Sequence, residues 1–281
     1  MKCFAAGANS EMIGARTKPR RVIIQALTHA ISRINLLGLA MIVVLVGLWE
    51  LYGRTIGASF GTIASVFDIA RAFNKLLFEG PLVAQLIHTL SVSIVGWLLA
   101  SLLGMAMGAA IGLWRPVWAY TMASIDVLRS IPSISLVSIA LMIFGFSSKM
   151  EMVIVVYVSQ WPVLLATAGG IRSVPDSYLD AARSLRLSRS ATTFKILLPG
   201  ALPNILVGLR LSLTLAIALA VVAEMVGNPA GLGFGLVFSQ QAIQPAEAFA
   251  YLVVIGVVGW GLNAVFVLVA GRLFHNYEPA L

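Results

Sequence analysis

The chain has 281 residues, of which 59% are hydrophobic and 11% charged, with a formal net charge of +8. That balance excludes a soluble globular domain and points to several membrane spans. The positive charge does not signal a nucleic-acid binder, because the basic residues are dispersed among apolar runs, as in cytoplasmic loops of membrane proteins.

Residues 1–34 form a basic segment carrying Lys2, Arg16, Lys18, Arg20, Arg21 and Arg33. No small-residue cleavage site lies close to the start, so no signal peptide is expected. Val22, Ile23, Leu27, Ile31 and Ile34 suggest an amphipathic approach helix on the membrane surface. The single cysteine, Cys3, excludes an intramolecular disulfide and a cysteine metal cluster.

Residues 35–84 hold the first span and an outer segment. The span is expected at about Leu36–Tyr52, with Trp49 and Tyr52 near the outer interface. The mixed stretch after it, with Arg54, Asp68, Arg71, Lys75 and Glu79, suits a helix outside the membrane, ended by Gly80-Pro81.

Residues 85–273 supply five more spans, so the expected fold is an all-α, polytopic membrane protein with six transmembrane helices. The second span runs from about Leu86 to Leu113. Its Gly104, Gly108 and Gly112 fall at four-residue spacing, which permits close helix contact. The third, about Val117–Phe146, is expected to kink at Ile131-Pro132. The fourth, about Met152–Gly170, is expected to break at Trp161-Pro162. A polar, basic loop at 171–199 follows, then a fifth span at about Ile205–Val226. A Gly- and Pro-rich loop from Gly227 to Gly235, a short helix to Gln244, a sixth span at about Ala248–Leu273 and a tail at 274–281 complete the chain.

The charge count sets an orientation. With the N-terminus inside, the inner segments hold thirteen of the nineteen basic residues and the outer segments four: Arg54, Arg71, Lys75 and Lys149. The bias places both termini and the 171–199 loop in the cytoplasm.

That loop carries the most specific signal. Asp176 or Ser177 is expected to cap a first helix, with Asp176 and Asp180 facing the positive end of its dipole. Tyr178, Leu179, Ala182 and Leu185 share an apolar face at helical spacing. Ser188 is expected to cap a second short helix with Ala191, Phe194, Leu197 and Leu198 on one face. An apolar helix pair at a membrane surface reads as a docking surface for another protein. An amphipathic loop resting on lipid headgroups is the alternative.

Residues able to carry chemistry are few. No phosphate-binding G-x-x-x-x-G-K-[ST] and no H-E-x-x-H occurs, and His29, His88 and His275 lie far apart. No metal site and no catalytic group is therefore expected in this chain. Ser91 and Ser93 near His88 are more readily helix-packing residues than a nucleophile–base pair. Charges inside spans are costly unless paired or hydrated. Asp126 and Arg129, three apart, can pair on one face, with Ser130, Ser133 and Ser135 following around Pro132. They read as the polar wall of a translocation path or as an ion pair at an interface. Gln160 could face a cavity, Glu224 a pathway, a partner or interfacial water, and Arg210 is expected to snorkel to the inner surface.

The run from Asp180 to Pro199, DAARSLRLSRSATTFKILLP, resembles the EAA loop of binding-protein-dependent ABC importer permeases. Asp180-Ala181-Ala182 match its opening and Leu198-Pro199 its end. Arg186 stands where that loop usually has glycine, so it must avoid a left-handed backbone or bear its strain. Arg129-Ser130-Ile131-Pro132, Trp161-Pro162, Ala223-Glu224-Met225 and Gly231-Leu232-Gly233 resemble the nitrate/sulfonate/taurine branch. The likeness covers roughly residues 80–273 and adds the first span to a five-helix core.

The resemblance implies a permease subunit of an ATP-driven importer in a bacterial cell (inner) membrane, moving a small solute such as a sulfonate or nitrate inward. It implies a cytoplasmic ATPase dimer as partner, a second permease copy, a periplasmic or lipid-anchored solute-binding protein and surrounding lipid. ATP and Mg would then sit on the partner subunits, with no cofactor in this chain. Tyr178, Leu179, Asp180, Ala181, Ala182, Leu185 and Arg186 would couple to the ATPase, and a charge at Ala182 would abolish docking while leaving the fold intact. Asp126, Arg129, Ser133, Gln160 and Glu224 are candidates for the solute path. An ion-coupled secondary transporter is the competing reading, expected to show internal repeats and mid-membrane acids in matching halves.

Overall fold

A computed structural model describes residues 36–57 and 63–274. The amphipathic stretch Val22–Ile34, Cys3, His29 and His275 lie outside these residues. Among the described residues every regular element is helical, and the chain divides into two units, residues 1–52 and 53–281. The first contributes helix α1, Leu36–Tyr52, within the predicted apolar run.

The second unit begins with a π turn, Gly53–Gly57. Helix α2, Val66–Phe78, is the predicted helix outside the spans. Ser65 starts it: its hydroxyl accepts from the Asp68 backbone N–H at 3.2 Å and donates to the Asp68 carboxylate at 2.7 Å. Helices α3 (Leu82–Leu113), α6 (Ser148–Arg172), α9 (Leu198–Gly227) and α11 (Pro245–Leu273) are each long and apolar enough to cross a membrane. Between them lie α4 (Arg115–Arg129), α5 (Ser133–Phe144), α7 (Asp176–Ser184), α8 (Arg189–Thr192) and α10 (Leu232–Gln241). Among the described residues this makes four spans, or five if α4 and α5 count as one bent span. Helix α1 contributes 17 described residues, so the expected count of six is not established among the described residues.

The core is a sandwich of α3, α6 and α9. Lipid gives no hydrophobic drive to bring helices together, so close backbone contact must do it. The glycines of α3 supply that contact. A Cβ on Gly104 would lie 2.7 Å from the Gln160 carbonyl oxygen, and one on Gly108 2.5 Å from that of Leu164. A Cβ on Gly112 would lie 3.1 Å from the Ala168 backbone. On the other side, a Cβ on Gly208 of α9 would lie 3.0 Å from the Pro162 carbonyl oxygen. Val92, Val137, Ile154, Val155, Ala216 and Ala220 fill the space between these helices. A second cluster joins α2, α10 and α11 through Leu76, Leu232, Leu236, Tyr251 and Val254.

The two internal prolines behave differently from one another. Pro132 does more than kink its span: it separates α4 from α5 with a bend of 78°. Residues 130–132 are exposed, and nothing holds Ile131 in the helical region that the following proline disfavours. Pro162, by contrast, does not break α6, which is continuous from Ser148 to Arg172. Packing between α3 and α9 holds it straight. The Ser212 hydroxyl of α9 donates to the Ser159 carbonyl at 2.6 Å, one residue on from the carbonyl that Pro162 leaves without its N–H.

Candidate functional site

The loop 171–199 is built by its ends. Gly170 of α6 approaches Ala201 and Asn204 of α9, and the Asn204 amide donates to the Ser173 hydroxyl at 3.3 Å. Pro175 is the N-cap of α7, so Asp176 is the first helical residue and neither it nor Ser177 caps by its side chain. Asp176 still lies in the first turn, where its charge suits the dipole. Ser188 caps α8 as predicted, accepting from the Ala191 N–H at 3.2 Å.

The helix α8 does not end in a hinge. It passes through a π turn, Thr193–Leu197, straight into α9, so that Arg189–Gly227 is one helical body of 39 residues. Its residues from the 171–199 loop and the buried core of α9 thus belong to one continuous helix.

The turn between α7 and α8 resolves the glycine question. Leu187 donates to Ala182 at 3.0 Å and Arg186 to Arg183 at 2.9 Å, the paired bonds of a Schellman end. Arg186 occupies its left-handed position, at φ 51°. It bears the strain that glycine would avoid, about 1–2 kcal/mol. Replacing Arg186 by Gly should slow amide exchange at Arg186 and Leu187 by about 5- to 30-fold; Arg186→Ala, which keeps the Cβ, should not.

The predicted apolar face of α7 is divided. Tyr178 and Leu185 are 59% and 72% exposed, and Phe194 in the π turn is 70% exposed. Ala182 is 2% exposed, turned into the chain among the residues that line a cavity of about 650 Å³ with Trp114, Leu179, Leu187 and Leu197. A charge at Ala182 therefore disturbs the loop's own packing and is not a clean probe of docking. Asp180 and Ala181 are exposed, and Asp180 holds Arg183 at 2.9 Å.

The candidate path residues scatter. Arg129 and Asp126 form the predicted pair, Nε to Oδ1 at 2.9 Å, both half exposed at the end of α4. Ser133 starts α5 beside the Pro132 break and is partly buried. Gln160 folds back on its own helix, its amide donating to the Tyr157 carbonyl at 3.3 Å. Arg210 is part-buried, and its Nε donates to Asn263 Oδ1 on α11 at 3.0 Å.

Glu224 is fully buried. Its Oε2 accepts from the Gly233 N–H at 2.9 Å, and the Thr89 hydroxyl of α3 accepts from the Leu232 N–H at 2.9 Å. Two side chains, one from α3 and one from the end of α9, thus cap α10, which begins within the predicted loop. Gly231 at φ +89° lets the backbone pass over the carboxylate; a Cβ there would lie 2.2 Å from Glu224 Cδ.

Beside Glu224 lies a group that the sequence did not reveal. The His88 ring meets Glu151 Oε2 at 3.0 Å, and the Asn228 amide contacts both Glu151 and His88. Glu151 reads in sequence as a dipole-compensating acid in the first turn of α6, and its burial depends on packing against α3. Ser91 donates to the His88 backbone carbonyl at 2.7 Å, a helix-internal bond of the kind that favours the packing reading over nucleophile activation.

The family described as "Binding-protein-dependent transport system inner membrane component" matches residues 100–277. SsuC of Bacillus subtilis, assigned to aliphatic sulfonates transport, is 30% identical over 79% of this chain and 80% of its own length. The nitrate import permease protein NrtB of Leptolyngbya laminosa is 28% identical over 84% of this chain and 86% of its own. The bicarbonate transport system permease protein CmpB of Synechococcus elongatus is 30% identical over 60% of this chain and 63% of its own. Among solved structures, the inward-facing MetNI methionine ABC transporter aligns with a TM-score of 0.57 at 18% identity, covering 66% of this chain and 91% of that one. An amino acid ABC transporter crystallised with histidines aligns with a TM-score of 0.58 at 20% identity, covering 73% and 98%.

Proposed function

The chain belongs to the family of binding-protein-dependent transport system inner membrane components, and from that premise we propose that it carries a small anion inward, driven by an ATPase that docks on the 171–199 loop. As an ABC importer permease it is a membrane-embedded subunit and not itself an enzyme; ATP hydrolysis belongs to separate subunits.

The observation that carries the coupling is the unbroken helical body Arg189–Gly227. A rigid element that starts at an exposed apolar loop and ends in the buried core transmits a push without loss in a hinge. Tyr178, Leu185 and Phe194 form the docking face; Asp180, Ala181 and Arg183 lie at its polar rim; Leu179, Ala182 and Arg186 keep its shape. The positive-inside bias puts this face in the cytoplasm with both termini. A solute-binding protein delivers the solute on the opposite side, and a second copy of this chain completes the path, as the family's mode of work implies.

Asp126, Arg129 and Ser133 lie at the exposed break between α4 and α5 and are proposed as a wall of that path. The sulfonate, nitrate and bicarbonate named for the relatives are all anions. Arg129 is neutralised by Asp126 at 2.9 Å, whereas Arg210 faces the neutral amide of Asn263 and keeps its charge. Arg210 is therefore the better candidate to attract an anion inside the membrane. Changing Arg210 to Met should lower uptake at subsaturating solute by about tenfold while leaving ATPase binding unchanged, measured by vesicle uptake beside co-purification.

The deciding experiment is reconstitution in vesicles with the ATPase and binding protein. Uptake should require ATP hydrolysis. Uptake by this chain alone, driven by an ion gradient, would overturn the proposal in favour of a secondary transporter.

A further inference from the structure

At the outer ends of the core helices, three donor side chains converge from three separate elements. His88 comes from α3, Glu151 from α6 and Glu224 from α9, and one ligand atom of each lies within 4.8 Å of the others. Both glutamates are buried and His88 is mostly covered. Glu224 Oε2 is occupied by the Gly233 N–H, but Oε1 is buried without a hydrogen-bond partner. A buried carboxylate oxygen left unpaired is costly, and such an orphan points to a missing ligand. Asn228 adds an amide at the same point, able to present either its N–H or its oxygen.

A divalent cation would take up the free oxygen and join donors from all three helices. The donor set is chemically selective: one imidazole nitrogen with two carboxylates suits zinc or manganese, whereas magnesium and calcium prefer oxygen alone. Bonds of about 2.0–2.2 Å need donors roughly 3.3–4.3 Å apart, so the group closes on an ion by modest side-chain rotation. An approach exists, since Glu224 and Asn228 line an open cavity of about 430 Å³ with Phe146, Pro229 and Gln241.

We propose that His88, Glu151 and Glu224 bind a divalent cation of the zinc or manganese class, which staples the outer ends of α3, α6 and α9. The three helices already pack there through Val92, Met150, Ile154 and Ala223, beside the His88–Glu151–Asn228 bonds and the cap on α10. A bound ion adds a link that a change in helix arrangement must break.

The test uses the full chain, purified in detergent with a histidine-free tag, stripped with a chelator and offered Zn²⁺, Mn²⁺, Mg²⁺ or Ca²⁺ separately. Bound metal is counted after desalting, and thermal unfolding is followed in parallel. About one Zn²⁺ or Mn²⁺ per chain is expected, with a raised Tm and little effect of Mg²⁺ or Ca²⁺. His88→Gln and Glu224→Gln should each weaken the binding at least about tenfold. Should Glu224→Gln fail to fold, His88→Gln decides alone, because that side chain is partly at the surface. Absence of stoichiometric metal, or metal binding unchanged in His88→Gln, overturns the proposal.

Discussion

Replacing Leu185 by Asp is expected to weaken ATPase binding by about 30-fold or more, and Tyr178→Ala by a similar factor, with vesicle uptake falling in step. Both side chains stand out from the loop, and neither is needed to bury anything within the chain. Exposed aromatic and aliphatic anchors of this kind carry most of the energy of an interface, about 2 kcal/mol or more each when removed. A charge at Leu185 must also be desolvated on docking, which adds to the loss. The contrast is Ala182→Asp. Ala182 is covered by its own chain, and the carboxylate would be placed among Leu179, Leu187 and Leu197, which line the same cavity. It should therefore lower the stability of the loop as well as ATPase binding, whereas Leu185→Asp should leave the fold untouched. Pull-down of the ATPase together with the thermal unfolding of each variant separates the two. ATPase binding by Leu185→Asp at the unmodified level would remove this face from the coupling mechanism.

Replacing Gly108 by Val is expected to destabilise the membrane core by about 3 kcal/mol or more. Even a methyl group on Gly108 would lie 2.5 Å from the Leu164 carbonyl oxygen and 2.8 Å from Thr167 Cβ. The first of these is backbone, fixed within α6, and cannot swing aside. The helices must separate, and every contact along the seam weakens with distance. Gly104 and Gly112 lie on the same seam, so the damage spreads to both. Gly169 is an internal control: nothing lies within 4 Å of a Cβ built there, and Gly169→Ala should be tolerated. Thermal unfolding in detergent gives the difference, and equal melting temperatures for the two variants would show that α3 and α6 do not depend on this contact.

The spans and the loop were legible in the sequence because each rests on local pattern. Long apolar runs can only be helices in lipid, since every backbone group must be satisfied within the segment. That placed α1 in the chain, and the four-residue glycine spacing of α3 announced a helix seam. Ser188 as a cap followed from its place before a short helix. The Asp126–Arg129 pair followed from a three-residue spacing, which any helix enforces.

What the sequence could not decide depended on neighbours. Pro132 and Pro162 look alike in the chain. One separates two helices and the other does not, because α3 and α9 pack around Pro162 and leave Pro132 exposed. Ala182 sits on the same side of a helical wheel as Tyr178, yet only the fold of the loop tells which of them faces outward. Arg186 could have avoided a left-handed backbone; the paired bonds at the end of α7 require it. The neighbours of Glu224 lie in α3, α6 and α10, far from it in sequence or across a turn. Local periodicity determined the elements of this protein, since backbone hydrogen bonding in a membrane is settled within each segment. Burial, proline tolerance and the gathering of His88, Glu151 and Glu224 were decided only by tertiary packing, because each depends on which helix stands beside which.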